Sequence, residues 1–357
     1  HMVLKDDGSY RPCGDYRRLN ARTKKNAYSL PNLKDFAAKL SGKTFFSSID
    51  LVKAFWQIPV DSESIPKTAV ITPFGSFVFL RMPFGVMNAS STFQTLIDEV
   101  LGDLDCVFVY LDDLLIFSSS LQEHERDVRK VLQRLREAGL CFNPEKTQLF
   151  RSSVNFLGHN ISDSGIVPLQ SNIVKVNNFP RPTDKKMLMR FLGMLNFYRS
   201  FTPGLASTLA PLTDLTSPKT KFVWSEHCER AFQTARTALD SVTKLAFFVD
   251  GQPLRLLCDA SDVGIGAVLE QQHGDRWYPL EFFSKKLSPT ERRYSTFDRE
   301  LLSMYLSVRH FRWMLTSAVF TIYTDHKPLI YAISREGEPW SPRQARHLSY
   351  ISEFSTD

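Results

Sequence analysis

Two adjacent carboxylates, Asp112 and Asp113, lie inside the apolar run Val107-Phe108-Val109-Tyr110-Leu111-Asp112-Asp113-Leu114-Leu115-Ile116-Phe117. Moving an ionised carboxylate into apolar surroundings costs several kcal/mol unless something compensates it. The pattern therefore predicts a tight hairpin whose turn presents both acids to a divalent cation. A plain acidic hairpin turn is the alternative, although neither Gly nor Asn is there to make the turn cheaply. A third acid, Asp50, ends the apolar strand within Ser47-Ser48-Ile49-Asp50-Leu51. Three carboxylates converging from separate strands are what a two-metal centre needs, with Mg²⁺ ions about 3.5–4 Å apart. One ion would lower the pKa of an attacking hydroxyl and the other would stabilise a leaving pyrophosphate. Phe55 follows closely enough to lie over a bound sugar, although a core aromatic is the commoner meaning of such spacing.

A second acidic set stands further on. Asp259 interrupts Leu254-Arg255-Leu256-Leu257-Cys258-Asp259-Ala260-Ser261, and Asp325 ends Val319-Phe320-Thr321-Ile322-Tyr323-Thr324. Glu300 falls on the intervening helix, at the margin of the face formed by Met304, Val308, Phe311 and Leu315. Each alone reads as a surface acid at an element end; together they suggest another Mg²⁺ site. The histidines show no zinc-ligand spacing, and Gly264-Ile265-Gly266 is too short for a phosphate loop.

These acids need elements to hold them. Residues 45–61 read as strand, acidic turn and short continuation. A helix follows Asn88-Ala89, with Phe93, Leu96, Ile97, Val100 and Leu101 at helical spacing. The clearest helix starts at Ser120, with Glu123 completing a capping box, a stripe of Val128, Val131, Leu132 and Leu135, and Gly139 at its end. Residues 154–159 look like one strand. A helix capped by Thr183 carries Met187, Leu188, Phe191, Leu192 and Leu195, and another spans about 231–239. Strands at 254–260, 264–271 and 277–284, a helix at 296–315 and a strand at 318–324 give β-β-β-α-β order. The fold class expected is α+β followed by a smaller α/β domain.

At 357 residues, 43% of them hydrophobic, the chain has material for two to four globular domains. No uninterrupted apolar stretch reaches the roughly 20 residues that cross a bilayer, and no signal pattern opens the sequence, so a soluble intracellular protein without membrane partners is expected. Five scattered cysteines argue against a disulfide framework or a zinc site. The net charge is +6, with basic clusters at Arg11, Arg17, Arg18, Arg22, Lys24 and Lys25 and at Arg181, Lys185, Lys186 and Arg190. Such clusters fit a polyanion surface or ordinary solvated charge.

Tyr110-Leu111-Asp112-Asp113 resembles the Y-x-D-D box of reverse transcriptases. The surrounding string is similar to gypsy-type long-terminal-repeat retrotransposon Pol polyproteins and, more distantly, to retroviral polymerases. Asp7-Gly8-Ser9-Tyr10-Arg11-Pro12, Asp15-Tyr16-Arg17-Arg18-Leu19-Asn20, Tyr28-Ser29-Leu30-Pro31, Met82 to Ala89 and Phe156-Leu157-Gly158-His159 carry the likeness. Phe191-Leu192-Gly193 with Asn196-Phe197-Tyr198-Arg199 resembles a thumb; Cys258 to Ser261 with Tyr323-Thr324-Asp325-His326 resembles a tethered ribonuclease H.

The resemblance implies a right-hand polymerase of fingers, palm and thumb followed by a ribonuclease H-like domain. Fingers and palm would span 1–158, thumb and connection 159–249, and the ribonuclease H-like domain 250–357, with the domains at both ends shortened. Its implied activity is RNA- and DNA-templated DNA synthesis with Mg²⁺, or Mn²⁺ as a substitute. Substrates and partners would be an RNA template, a DNA primer, RNA–DNA hybrid, deoxynucleoside triphosphates, and protease and integrase segments of the polyprotein. It places the chain in a cytoplasmic retroelement particle or the nucleus. Asp50, Asp112 and Asp113 would be the polymerase metal ligands, and Asp259, Glu300 and Asp325 those of the ribonuclease. Lys5, Arg11 and Lys146 would meet the triphosphate. Phe55 would exclude a ribose 2′-hydroxyl, and Phe84-Gly85 would line the nucleotide pocket; retroviral relatives usually carry Gln where Phe84 stands. Tyr110 and Phe156 to His159 would contact template and primer. The fourth ribonuclease carboxylate of the family falls outside the motifs seen here, which leaves cleavage by this domain open. Two rivals stand beside this reading: an inactive retroelement-derived nucleic-acid binder, and a viral RNA-dependent RNA polymerase, which would carry Gly in place of Leu111.

Overall fold

The computed structural model describes residues 2–4, 8, 10–31, 33–316, 318–334 and 340–354. The chain divides into two compact units, the first holding 1–157 with 161–163 and the second 158–160 with 164–357.

In the first unit, β1 (Met2–Leu4) and β2 (Tyr10–Pro12) pair antiparallel, and helices α1 (Arg17–Asn20) and α2 (Leu33–Lys39) follow. After β3 (Phe45–Asp50) comes a separate hairpin of β4 (Val70–Thr72) and β5 (Gly75–Phe77), then α3 (Ala89–Leu101). Strands β6 (Val107–Tyr110) and β7 (Asp113–Ser118) make the acidic hairpin, α4 (Leu121–Glu137) follows, and β8 (Gln148–Arg151) completes a sheet ordered β6-β7-β3-β8. All its pairings are antiparallel. Leu114 to Ser118 are buried without alternation, the mark of a central strand covered on both faces. Phe93, Ile97 and Leu101 of α3 and Val128, Val131 and Leu135 of α4 close the core over the sheet.

Local details depart from expectation where neighbouring residues compete. No strand continues beyond Asp50; a 3₁₀ turn covers Ala54–Gln57, entered through Lys53 at φ 46°. Ser120 caps α4 by accepting the Glu123 N–H at 3.3 Å. The Glu123 carboxylate takes the Ser119 N–H at 3.0 Å, so the expected box is displaced by one residue. His124 is a satisfied core histidine. Ser47 and Ser118 hydroxyl oxygens sit 2.7 and 2.9 Å from its two ring nitrogens, and the Ser118 hydroxyl donates to Asp127 at 2.6 Å.

The expected strand at 154–159 is two strands, β9 (Ser153–Phe156) and β10 (His159–Ser162), because Leu157 and Gly158 have φ of 45° and 81° and turn the chain. β11 (Gly165–Pro168) precedes the helices α5 (Gln170–Asn177), α6 (Lys185–Phe197), α7 (Leu205–Thr208), α8 (Ala210–Leu215) and α9 (Glu226–Thr237). Asp184, not Thr183, caps α6, its carboxylate accepting the Met187 N–H at 2.7 Å. Both residue types cap well, and the burial of Leu188, Phe191 and Leu195 sets the register. The helix expected at 231–239 starts earlier, because Ser225 caps it.

The rest of the second unit is a sheet ordered β14-β13-β12-β15, from β12 (Leu254–Ala260), β13 (Gly264–His273), β14 (Arg276–Lys286) and β15 (Phe320–Tyr323). The first three strands pair antiparallel. α10 (Thr296–Leu315) crosses over to set β15 parallel to β12. Leu301, Met304, Val308, Phe311 and Leu315 of α10 pack on the sheet. Helices α11 (Lys327–Ser334) and α12 (Pro342–Ser352) follow. None of the five cysteines forms a disulfide. No helix among the described residues is long and apolar enough to cross a membrane.

Candidate active sites

Antiparallel register brings the first acidic set together. Asp50 on β3 stands directly opposite Asp113 on β7, while Tyr110 pairs with Asp113 across a two-residue turn of Leu111 and Asp112. Directly opposed residues hold their Cβ atoms about 4.5–5.5 Å apart on one face. The Leu51 N–H donates to the Asp112 carbonyl at 2.9 Å and the Asn143 N–H to that of Asp50 at 2.8 Å. The turn carries the cost foreseen from its lack of Gly or Asn. Leu111 has φ 55°, a left-handed conformation that costs a non-glycine residue about 1–3 kcal/mol and persists when its surroundings impose it.

Burial and the neighbouring carboxylates of Asp112 and Asp50 push Asp113 up to about 6, against the opposing pull of Lys146. Lys146 Nζ lies 3.5 Å from Asp50 Oδ2. A cavity of about 870 Å³ opens here, and its walls include Asp50, Phe55, Phe84, Asp112 and Lys146. The Phe55 and Phe84 rings are 5.5 Å apart. Gly85 stands behind this wall at φ 94°, its carbonyl held by the Asn20 amide at 2.9 Å. Clustered oxygen donors with mutual repulsion suit hard divalent cations.

Other residues singled out from the sequence are placed differently. Lys5 lies outside the described residues; Arg11 belongs to β2, and its side chain lies outside them too. Phe156 is a core aromatic, 4% exposed and packed on Phe36 and Phe108. His159 is buried, stacked between the rings of Phe197 and Phe201. Both side chains face inward rather than outward, because each short apolar strand alternates its faces and the inward face takes them. Between them, the Leu157-Gly158 turn is partly exposed.

The second acidic set is tighter. Oxygens of Asp259, Glu300 and Asp325 all lie within 4.8 Å of one another, the one such group of three among the described residues. Glu300 is 4% exposed, deeper than the helix margin suggested by its spacing. Burial first, then the charges of Asp259 and Asp325, raise its carboxyl to about 7. Its Oε2 is buried with no hydrogen-bond partner. An orphaned oxygen between two acids fits a bound cation well.

Sequence reasoning missed Gln94 on α3. It is fully buried, and its side-chain carbonyl accepts the Leu111 N–H at 2.9 Å. Its only signal was a polar residue beside Phe93 on the helix face that turns inward.

Residues 3–161 match the family described as reverse transcriptase (RNA-dependent DNA polymerase). Residues 224–322 match the RNase H-like domain found in reverse transcriptase. The two matched stretches thus carry a reverse transcriptase domain and the RNase H-like domain found with it. It is 37% identical over 359 aligned residues to the transposon Tf2-3 and Tf2-4 polyproteins of Schizosaccharomyces pombe, matching 99% of this chain and 27% of each polyprotein. It thus spans about a quarter of those relatives' length. Among solved structures, a foamy viral protease-reverse transcriptase (dRH) in complex with double-stranded DNA superposes with a TM-score of 0.85 at 23% identity, over 98% of this chain and 62% of that one. Another, also with double-stranded DNA, gives 0.83 at 24% identity, over 98% and 74%. The fold is that of an α+β right-hand polymerase followed by an α/β ribonuclease H-like domain.

Proposed function

We propose that the chain is an RNA- and DNA-templated DNA polymerase with a tethered ribonuclease H-like domain. The observation that carries this is the cross-strand pairing of Asp50 with Asp113 under a strained Tyr110–Asp113 turn, at the wall of a cavity fit for a nucleotide. Asp50, Asp112 and Asp113 would hold two divalent cations, Mg²⁺ with Mn²⁺ as a substitute. Such ions, when bound, activate the attacking hydroxyl and stabilise the leaving group. Phe55, braced against Phe84, lies under the sugar and leaves no room for a 2′-hydroxyl. Lys146, beside Asp50, holds a proton near the departing pyrophosphate, and Arg11 and Lys5 share the triphosphate's charge. Gly85 lets the backbone turn behind the nucleotide, and Tyr110 with the Leu157-Gly158 turn faces the primer.

In the second unit, Asp259, Glu300 and Asp325 hold the cation for hydrolysis of the RNA strand in RNA–DNA hybrid. The stretch between the two chemistries, residues 159–249, reads as thumb and connection. The relatives are polyproteins and this chain spans about a quarter of each, so protease and integrase segments are the natural partners in a retroelement particle.

The deciding experiment is extension of a DNA primer on an RNA template by the full chain, with deoxynucleoside triphosphates and Mg²⁺. Extension that stops with chelator and in Asp113→Asn supports the proposal. Extension that survives replacement of Asp50, Asp112 and Asp113 together would overturn it.

A further inference from the structure

Leu111 sits in a conformation that glycine adopts freely and a side chain resists. What opposes its relaxation lies on α3. Gln94 accepts the Leu111 N–H at 2.9 Å through its side-chain oxygen, and its amide donates to the Val109 carbonyl at 3.3 Å and to Asp98 at 2.9 Å. The other Asp98 oxygen accepts the Tyr28 hydroxyl at 2.6 Å. Both ends of the amide are engaged, so its orientation is determined. The segment leading to Tyr28 is itself fastened: the Asn26 N–H donates to the Asn88 side chain at 3.1 Å, and the Asn88 amide to the Lys24 carbonyl at 2.9 Å.

A fully buried glutamine is a costly choice for a helix face shared with Phe93, Ile97 and Leu101, where an apolar side chain would pack without a polar obligation. Its bonds to both sides of the turn give it a task that packing does not. We propose that Gln94 is a positioning residue of the polymerase site, and that Asp98 and Tyr28 brace it, so that the relay Tyr28–Asp98–Gln94 keeps Leu111 left-handed and holds Asp112 and Asp113 towards Asp50. This rests on the polymerase reading of the same site. None of the three relay residues meets the reacting atoms; they act through the turn's backbone. Without them, Leu111 relaxes towards negative φ, and the peptide carrying Asp112 rotates with it.

The test compares steady-state primer extension by the full chain and its variants. Gln94→Met keeps the volume and removes the hydrogen bonds; kcat should fall about 10- to 100-fold, the effect of stranding a buried backbone donor. The KM for the nucleotide should stay within about twofold, because ground-state binding is untouched. In a Leu111→Gly background the same substitution should cost at least about fivefold less, since glycine keeps positive φ without help. Tyr28→Phe, at a residue 42% exposed, should lower kcat about two- to threefold, the weight of one outlying hydrogen bond. An equal loss in both backgrounds would mark Gln94 as ordinary core and overturn the relay, as would unchanged kcat in Gln94→Met. Should Gln94→Met not fold, Tyr28→Phe decides: a lower kcat at constant KM supports the relay, and an unchanged kcat ends it. An inactive parent chain overturns the polymerase reading itself, and the relay with it.

Discussion

The two acidic centres answer the same electrostatic problem in opposite ways. In the first unit the acids sit on a turn and a strand end, do not gather as closely as the second set, and have a lysine 3.5 Å from one of them. Here the backbone carries a cost as well, at Leu111 with φ 55°, beside the burial that raises Asp113. In the second unit three carboxylates converge within 4.8 Å around a buried Glu300 that has an unpartnered oxygen. There the cost is carried by desolvation. A turn can shift by small dihedral changes, whereas a buried helix residue can only change protonation or bind a cation. On the proposed reading, the first centre would admit and release a charged substrate and the second would grip a cation.

The broadest way to break this comparison is to show that the centres are not independent. Asp113→Asn should lower polymerisation by about 10³-fold or more, the scale of losing a metal-held transition-state charge, while leaving hybrid cleavage unchanged if cleavage is present. Asp259→Asn should leave primer extension within about twofold, as separate sites do. Loss of both activities from either change, at unchanged thermal stability, would show one shared centre.

Phe55 sharpens what the open site selects. Phe55→Ala removes the ring that leans on Phe84 and Phe93 and should raise incorporation of ribonucleotides relative to deoxynucleotides by about 10- to 100-fold, the range of steric discrimination in a pocket. Competition between the two nucleotide types on one template measures it. A ratio that does not move would return Phe55 to the core.

Glu300 tests the claim that burial is the cost in the second unit. Its pKa is raised in the folded chain to about 7 from an ordinary 4.5, so the folded state binds the extra proton. That contribution to stability is whole below about 4.5 and is lost as pH rises through about 7. In chelator at pH 8, Glu300→Gln should therefore melt a few degrees above the parent, and at pH 4 the gap should vanish. Asp113→Asn should show the same sign in the lower window between 3.8 and about 6. A destabilised Glu300→Gln at pH 8 in chelator would mean that the carboxylate is satisfied by something other than a cation.

Much of this contrast was legible in the residues. Acids inside or at the ends of apolar strands declare themselves, so Asp50, Asp112, Asp113, Asp259 and Asp325 and both hairpin strands stand out from pattern alone, whereas Glu300 lies deeper than its helical spacing suggests. What pattern could not show was conformation and facing. Leu111 looks like any strand leucine, and only the ladder on both sides forces its φ. Phe156 and His159 sit in a motif that reads as ligand-facing, yet period-two alternation turns both inward. Gln94 sits on a helix whose polar residues usually meet water, and tertiary packing alone makes it a core residue. Thr183 and Asp184 are both competent caps, and the difference of one residue is set by which leucines reach the core.

Lys146 gives the finest probe, because its ammonium lies 3.5 Å from one of the first centre's carboxylates. Its ammonium neutralises Asp50 at 3.5 Å but is two-thirds exposed, so the attraction is weak and screened. A divalent cation arriving at Asp50 must displace this charge or tolerate its repulsion. Lys146→Met should tighten apparent Mg²⁺ activation at low salt by about two- to fivefold, the scale of an exposed ion pair, even as turnover falls for want of a proton near pyrophosphate. Raising the salt to about 0.5 M, where screening acts within a few ångströms, should bring the two Mg²⁺ curves together. If the curves coincide at every salt concentration, Lys146 does not guard the metal site, and the greater openness of the first centre must come from its turn alone.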